Sequence, residues 1–574
     1  MIRRPIWADV VVFLFLAGVL YVILNVAQSM AGPRRAVVEI DLSVRALPKY
    51  VGWSVFRNGA SFVLSFLFTF IYGYIAGKSR YAHKVMIPIL DIFQSVPVLA
   101  FMPSTLLAVM ALFPNSRFGL ELVAIILIFT GQAWNMCFSF YYSLRSLPDD
   151  LLETTSIYRF GWWRRFWKLE LPFAAIPLMW NAKMSLAGGW FFLTVIESIK
   201  LGDQSFLLPG IGSYMSVANA HGDVSAIVYG IIAMTITIVV IDQLLWWPVI
   251  AWSQKFKYEE TAGAETADSL VLGFVRQSMM LGWFGRAFTR IQEMSLGWLL
   301  GTFALRRPAG GRYLSAGGFN PTLRKAGRIA AFALLGGALA GAAFGSLLLL
   351  QFIRTIPGDL WIRIGKAAAL TFLRIVATVG LSSLWMVPLG IVIGLKPRLS
   401  QKLQPIIQVV ASFPAPMIYP LIAGFLVAIG LPIGYAAVIL LTIGTQWYML
   451  FNATAGGAAI PHDLVEVARS YRFSRWRTWS KVYLPASLAC LVTGWVTTAG
   501  GAWNASIVAE YVYIGTKPLA ANGLGAMITG STEKAELQTL TACVLVMIFV
   551  VVVVNRLLWE PLFRYTSKQF SLAR

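Results

Sequence analysis

Long apolar runs, each about the length of a membrane-spanning helix, dominate this sequence. They lie at residues 6–27, 57–77, 86–112, 119–140, 172–197 and 226–250, and again at 327–353, 369–394, 404–430, 432–452, 485–509 and 538–560. A helix needs about 20 apolar residues to cross a bilayer. Because lipid offers no hydrogen-bond partners to an open backbone, such runs must be helical. The sequence therefore predicts an all-α polytopic membrane protein with about twelve transmembrane helices.

The charged residues support this prediction. The chain has 574 residues, of which 58% are hydrophobic and only 13% charged, and its net charge is +22. A nucleic-acid-binding protein would carry its basic residues on a polar domain, whereas here they lie at the ends of apolar runs, as on the cytoplasmic side of membrane proteins. We therefore expect a multi-pass membrane protein with membrane lipid around it, both termini in the cytoplasm, and no nucleic-acid partner.

Three local features of the sequence need separate interpretation. Run 6–27 follows two arginines like a signal peptide, but it exceeds the 7–15 apolar residues of a cleaved signal, so we predict a retained first helix. The three cysteines and three histidines are scattered, and we expect no catalytic or metal site. Segment 251–325 has ten Lys or Arg against five Asp or Glu. It is either an interfacial helix or a solvated linker.

The two halves of the chain repeat each other. A shift of 317 residues pairs Ser95-Val-Pro97 with Ser412-Phe-Pro414, and a shift of 313 pairs 148–172 with 461–485 at twelve identities in twenty-five. Six crossings in each half would insert both repeats the same way up, with a pathway between them. We therefore predict a first half at 1–250, a cytoplasmic linker at 251–325 and a second half at 326–574.

The repeated segments 148–172 and 461–485 carry a recognisable motif. In each, a glutamate (Glu153 or Glu466) precedes a Leu-Pro whose proline is nineteen residues further on. This resembles the EAA coupling loop of ABC importer permeases. With the two Ser-x-Pro stretches, the chain resembles the duplicated nitrate/sulfonate/taurine/bicarbonate-type permeases. The resemblance implies the type I ABC importer permease fold and the translocation of a small solute, an anion such as nitrate or a sulfonate.

The resemblance also implies a location in the bacterial inner (plasma) membrane and a set of partners. Two ABC ATPase subunits, which bind ATP and magnesium, would dock on the coupling loops, and an extracytoplasmic solute-binding protein would deliver the solute. The chain itself would hold no cofactor and would not be an enzyme. The residues expected to couple to the ATPases are Glu153, Arg159, Trp163, Glu466, Arg472 and Trp476. Arg159 and Arg472 stand where the family usually has the glycine that lets two short helices turn sharply.

A secondary transporter with six-plus-six parallel repeats is the alternative function. It would run on an ion gradient and would be expected to carry a coupling-ion site in the membrane. The duplicated loop between the fourth and fifth apolar runs of each half argues against it.

Several polar or aromatic residues are candidates for the translocation pathway, because ionisable groups in spanning helices usually face a cavity or one another. The candidates are Asp91, Ser95, Gln408, Ser412, Lys183, Trp190, Trp503, Glu197 and Glu510. Asp91 could instead stabilise a kink, and the two glutamates could be structural. Lys183, Arg57 and Arg374 would suit an anion best, although both arginines are expected near a membrane edge. The pairs Gly188-Gly189 and Gly500-Gly501 predict close helix packing or a break that lines the site.

Overall fold

The computed structural model describes residues 39–113, 117–202, 204–256 and 343–569, with a few isolated residues between 337 and 341. The elements of the first half are α1 (Leu47–Lys78), α2 (Arg80–Ser95), α3 (Met102–Leu112), α4 (Arg117–Arg145), α5 (Asp149–Ile157), α6 (Trp162–Arg165), α7 (Leu171–Ile196), β1 (Ser198–Leu201), β2 (Gln204–Leu207), α8 (Ile211–His221), α9 (Val224–Ile241) and α10 (Trp247–Ser253).

The second half repeats this order, and among the described residues the helix α11 precedes it. Its elements are α11 (Ala343–Arg354), α12 (Gly358–Gly394), α13 (Pro397–Ser412), α14 (Tyr419–Ala428), α15 (Ile433–Ala458), α16 (His462–Ser470), α17 (Arg475–Thr478), α18 (Leu484–Ala509), β3 (Tyr511–Ile514), β4 (Lys517–Ala520), α19 (Leu524–Glu533), α20 (Leu537–Val554) and α21 (Glu560–Gln569). The bounds of α5, α6, α7, β1 and β2 recur in α16, α17, α18, β3 and β4 after 313 residues, as the duplication predicts.

Seven of the described helices are long and apolar enough to cross a membrane, and the bent pair formed by α2 and α3 would make an eighth. The predicted span 6–27, most of 327–353 and nearly all of the linker 251–325 lie outside the described residues. Within each half the long helices pack in sequence order: α1 on α4 and α4 on α7, then α12 on α15 and α15 on α18. One apolar core joins the halves, since it contains Leu99 and Leu106 together with Trp503 and Leu540.

The runs 86–112 and 404–430, each counted as one apolar segment of spanning length, are broken in the structure. Each run breaks at the proline of its Ser-x-Pro stretch, and in the first half the helices on either side of the break are bent by 84°. The residues before the prolines, Val96 and Phe413, are extended, with ψ of 125° and 129°. A proline ring disfavours helical backbone in the preceding residue, and proline has no N–H to continue the helix.

The sequence pattern did not predict two further repeated features. Antiparallel hairpins (β1–β2 and β3–β4) follow the long helices α7 and α18. Short π-helical segments precede α7 and α18, at Phe166–Glu170 and Trp479–Tyr483, and extend α9 and α20, at Asp242–Trp246 and Asn555–Trp559. π-Helical turns in α-helices often mark functional positions.

Candidate translocation pathway and docking segments

A cavity of about 430 Å³ lies between the two halves. Both helix breaks line it, through Val96 and Val98 in the first half and Phe413 to Ala415 in the second. The rest of the wall comes from α2, α4, α7, α13, α15, α18 and α20 and from the π-helical segment after α20. Irregular backbone at membrane depth is tolerated where it lines a cavity or is covered by protein, so this cavity accounts for the position of both breaks.

The lining of the cavity combines apolar and neutral polar side chains and carries little formal charge. Its hydrogen-bonding side chains include Gln94, Asn135, Gln408, Ser412, Thr445, Tyr448, Thr497 and Asn504, and its indoles are Trp134, Trp447, Trp503 and Trp559. Asp91 is the acidic residue of the lining, and among the described residues that form the wall there is no lysine, arginine or histidine. The polar groups of the wall are therefore almost all neutral donors and acceptors, set among apolar and aromatic side chains.

A hydrogen bond joins the two halves at the first helix break. The backbone N–H of Val98 donates to Oδ1 of Asn504 in α18 at 2.7 Å. The break leaves this N–H without a helical partner, and an unbonded backbone group in the membrane interior is costly. The second half thus supplies the hydrogen bond that the first half lost at Pro97.

The structure distributes the predicted pathway residues between the cavity and other places. Asp91, Gln408, Ser412 and Trp503 line the cavity, and Ser95 ends α2 beside it. Trp190 is buried in the apolar core. Lys183, Glu197 and Glu510 do not line the cavity, because each forms an ion pair within its own half.

Arg57 and Glu197 form a buried ion pair, so the guanidinium of Arg57 is enclosed by protein at the hairpin end of α1 and α7. Both side chains are fully buried, with Nη1 of Arg57 2.7 Å from Oε1 of Glu197. Ser54 and the backbone N–H of Gly212 also donate to this carboxylate, and Glu121 accepts two further bonds from the guanidinium. The group is therefore fully hydrogen-bonded, as a buried charge must be.

The second half repeats this ion pair. Nη1 of Arg374 lies 2.7 Å from Oε1 of Glu510, and Thr371 and the N–H of Gly525 also donate to the carboxylate. Gly523 is required here, because a Cβ at this position would lie 2.2 Å from Oε2 of Glu510. Each arginine–glutamate pair holds the helix after the hairpin against the first long helix of its half, which is a structural role.

Lys183 and Asp242 form an ion pair that only the first half possesses. Nζ of Lys183 in α7 is 2.5 Å from Oδ1 of Asp242, at the start of the π-helical segment after α9, and the two side chains are 10% and 8% exposed. The equivalent residues of the second half are Val496 and Asn555, and both line the cavity. The halves are therefore chemically unlike at this level of the membrane.

The two adjacent glycines of α7 have different surroundings. A Cβ at Gly189 would lie 2.2 Å from Oδ1 of Asn58 and 2.3 Å from Nε2 of Gln132, whereas a Cβ at Gly188 would meet nothing within 4 Å. Gly188 also lines the cavity. Gly189 thus allows close helix packing, whereas Gly188 lines the cavity.

We expect Gly189→Ala to destabilise the protein by about 1–3 kcal/mol through overpacking, and Gly188→Ala to leave stability unchanged while it narrows the cavity and slows uptake. Thermal unfolding of the purified variants and transport by reconstituted protein would check both. Equal stability losses in the two variants would contradict the assignment of packing to Gly189 alone.

The coupling segments 148–172 and 461–485 project exposed side chains at the end of each half opposite the hairpins. Glu153, Arg159, Glu466 and Arg472 are exposed. Trp163 and Trp476 are 38% and 81% exposed. All six predicted coupling residues therefore lie on accessible surface.

Arg159 and Arg472 adopt the backbone conformation that glycine favours. Their φ angles are 49° and 48°. The N–H of Phe160 donates to the carbonyl of Thr155 and that of Arg159 to Ser156, and the same two bonds recur around Arg472. This is the Schellman arrangement, which ends a helix with a left-handed residue. The turn expected from the family's glycine is thus present in both copies, although arginine occupies the position.

Glu170 connects the first coupling segment to α1, a contact that the sequence did not suggest. Its carboxylate is fully buried, binds Nζ of Lys78 and lies 2.8 Å from Nε of Arg165. The equivalent position of the second half is Tyr483, so no repeated charge marked the site.

The hairpin end joins the two halves. The N–H of Gly202 donates to the carbonyl of Thr532, and the side chain of Asn219 donates to the carbonyl of Tyr513. Burial and the Glu533 carboxylate to which it donates raise the pKa of Tyr511 to about 12, so its hydroxyl stays protonated. The cavity lies between these contacts and the coupling segments.

Comparison with known proteins identifies the family. Residues 69–245 and 386–558, together more than half of the chain, match the family described as "Binding-protein-dependent transport system inner membrane component". The chain belongs to this family. Because the match occurs once in each half, the permease is a duplicated one, with two permease units fused in a single multi-pass inner-membrane polypeptide. The predicted tandem type I permease fold is confirmed.

Individual relatives resemble shorter stretches of the permease. It is 33% identical over 139 residues to the bicarbonate transport system permease protein CmpB of Synechocystis, covering 24% of this chain and 46% of that protein. It is 33% identical over 125 residues to the nitrate import permease protein NrtB of Leptolyngbya laminosa, covering 22% and 43%. It is 25% identical over 184 residues to the putative aliphatic sulfonates transport permease protein SsuC of Bacillus subtilis, covering 32% and 61%. These alignments span less than two thirds of each relative, and they confirm the nitrate/bicarbonate/sulfonate type of ABC permease.

Proposed function

We propose that this permease is the fused transmembrane subunit of an ATP-driven importer. Two ATPase subunits dock on segments 148–172 and 461–485, and hydrolysis of ATP with magnesium takes place in those subunits. The permease itself holds no cofactor. A solute-binding protein delivers a small solute at the hairpin end, and both termini lie on the cytoplasmic side with the coupling segments.

The observation that carries this proposal is the identical construction of the two coupling segments. Helix bounds, left-handed turns and exposed glutamates recur at the same spacing in both halves. Two equivalent surfaces on one chain suit two copies of one partner. The secondary-transporter alternative assigns no partner to these two exposed segments.

An anion is the solute that the relatives support, since the printed names of three of them refer to bicarbonate, nitrate and sulfonates. The neutral amides, hydroxyls and indoles of the cavity wall can donate hydrogen bonds to an oxyanion. In this proposal they do so without a lysine or arginine in the wall. Lys183 is held by Asp242, and Arg57 and Arg374 by their glutamates.

The docking proposal is tested by co-purifying the permease with its cognate ATPase and measuring the stoichiometry. We expect two ATPase subunits per permease, and loss of both when Glu153 and Glu466 are replaced by lysine. Asp359→Lys is the matched control, because the Asp359 side chain is 72% exposed and lies outside both coupling segments. No ATPase bound to the unaltered permease would overturn the proposed function, and ion-gradient-driven uptake would then be measured.

A further inference from the structure

The left-handed arginines of the coupling segments carry an inference about the docking partner. Only three of the described non-glycine residues have a positive φ: Arg159, Arg472 and Ala535. A left-handed backbone costs a residue with a Cβ about 1–2 kcal/mol relative to the right-handed form. Glycine would adopt the same turn without this cost, so the arginines are not explained by the turn.

The position of Ala535 provides an internal comparison. Its equivalent in the first half is Gly222, which also has a positive φ, of 67°. At that left-handed turn the two halves therefore differ, with glycine in one and alanine in the other. In the coupling segments both halves have arginine. The two coupling segments thus share a guanidinium at the left-handed position, whereas the other repeated left-handed turn shares only its backbone conformation.

The two guanidiniums have no partner within the described chain. Both residues are exposed, and neither side chain makes a hydrogen bond or ion pair with the described residues, unlike Arg165, which binds Glu170. Each left-handed turn also fixes the direction of the Cα–Cβ bond at the point where the chain leaves one short helix for the next. The arginines are therefore presented outward by a rigid, hydrogen-bonded turn.

The surrounding charge indicates what these arginines bind. From Arg159 to Lys168 and from Arg472 to Lys481, every charged residue is basic, and the exposed carboxylates of both segments precede the turn. The one carboxylate after the turn, Glu170, is buried and paired with Lys78 and Arg165. We propose that Arg159 and Arg472 each donate bidentate hydrogen bonds to a carboxylate of the docked ATPase, whose binding groove is acidic where it meets these turns. This rests on the proposed function and adds the chemistry of the partner surface.

An anionic membrane surface is the competing occupant, since arginine and tryptophan are common at the bilayer interface. Two observations favour the protein. Glu153 and Glu466 lie on the same exposed segments and would be repelled by anionic headgroups. Headgroup attraction also requires only a flexible cation near the surface, whereas planar pairing with a carboxylate depends on direction, which the turn supplies.

The experiment compares three permeases: the unaltered chain, the double variant Arg159→Gly with Arg472→Gly, and the control Ala535→Gly. Because glycine relieves the backbone cost, both variants are expected to unfold at a higher temperature than the unaltered chain. The arginine variant is expected to bind the ATPase about tenfold or more weakly, as for loss of a charge-assisted hydrogen bond at each docking site. Its affinity should also depend less on salt, and Ala535→Gly should bind normally.

Each other outcome overturns the inference in a recognisable way. If the double variant binds the ATPase as tightly as the unaltered chain while Glu153→Lys with Glu466→Lys abolishes binding, the arginines have no role in docking although the proposed function stands. Binding would also be measured in phosphatidylcholine vesicles with and without phosphatidylglycerol. A defect that occurs only with phosphatidylglycerol would assign the arginines to lipid. If the unaltered chain binds no ATPase, the proposed function itself fails.

Discussion

Replacing Glu510 with alanine is expected to leave little folded permease. Arg374 would keep its charge but lose the carboxylate 2.7 Å away, and its side chain is only 11% exposed. The carbonyls of Gly434 and Asn522 would be its remaining hydrogen-bond partners among the described residues. Removing one partner of a buried ion pair typically costs about 3–5 kcal/mol. That is a large share of the roughly 5–15 kcal/mol by which folded domains are stable.

The first half offers a matched comparison. Arg57 pairs with Glu121 as well as Glu197, so Glu197→Ala leaves it one carboxylate and should cost less than Glu510→Ala. Glu121→Ala, at a side chain that is 22% exposed, should cost least. Thermal unfolding and the yield of monodisperse protein in detergent would rank the three variants. A Glu510→Ala protein as stable as Glu121→Ala would contradict the structural role assigned to this pair.

The membrane architecture could be predicted from the sequence because its signals are local or repetitive. Apolar runs of spanning length identify helices directly, and the recurrence of Ser-x-Pro and of the coupling segments revealed the duplication. The helix breaks at Pro97 and Pro414 were also within reach. The backbone restriction that proline places on Val96 and Phe413 is a local rule, and it outweighed the continuous apolar pattern around it.

The ion pairs could not be predicted in the same way, because they join residues far apart in the chain. Arg57 and Glu197 are 140 positions apart, and no spacing rule relates them. The repeat nevertheless contained a signal that these residues lie together. The arginine, the glutamate and the two glycines after the hairpin all recur in the second half, and four repeated residues of these types suggest one repeated cluster. Without that comparison, an arginine near the end of an apolar run resembles one at a membrane edge.

The pathway candidates show the same limit. Asp91, Gln408, Ser412 and Trp503 line the cavity, while Lys183 does not, although ionisable side chains in spanning helices are expected to face a cavity or one another. Hydropathy identifies such side chains but does not indicate whether they face a cavity or a partner. For Lys183 the partner is Asp242, which lies in a π-helical segment, and the sequence pattern does not predict that segment.

The pair Lys183–Asp242 permits an unusually direct test, because the second half already contains its neutral replacement. Lys183→Val alone leaves the Asp242 carboxylate buried without its cation, and Asp242→Asn alone leaves the ammonium without its anion. Each single change is expected to cost about 3–5 kcal/mol. The double variant reproduces Val496 and Asn555 of the second half, beside a π-helical segment of the same length, and it should unfold at close to the temperature of the unaltered protein.

Thermal unfolding of the four proteins forms a double-mutant cycle, whose coupling energy measures the pair directly. A double variant as unstable as either single variant would contradict the prediction, since it would show that the two side chains act through other neighbours. If the double variant is stable, its transport rate distinguishes a structural role of Lys183 from a role in transport. The single variants cannot distinguish these roles, because each is also expected to be unstable. Normal uptake would make Lys183 a structural residue of the first half. Impaired uptake by a stable protein would mean that Lys183 contributes its charge to the passing solute, although Asp242 holds it away from the cavity in this structure.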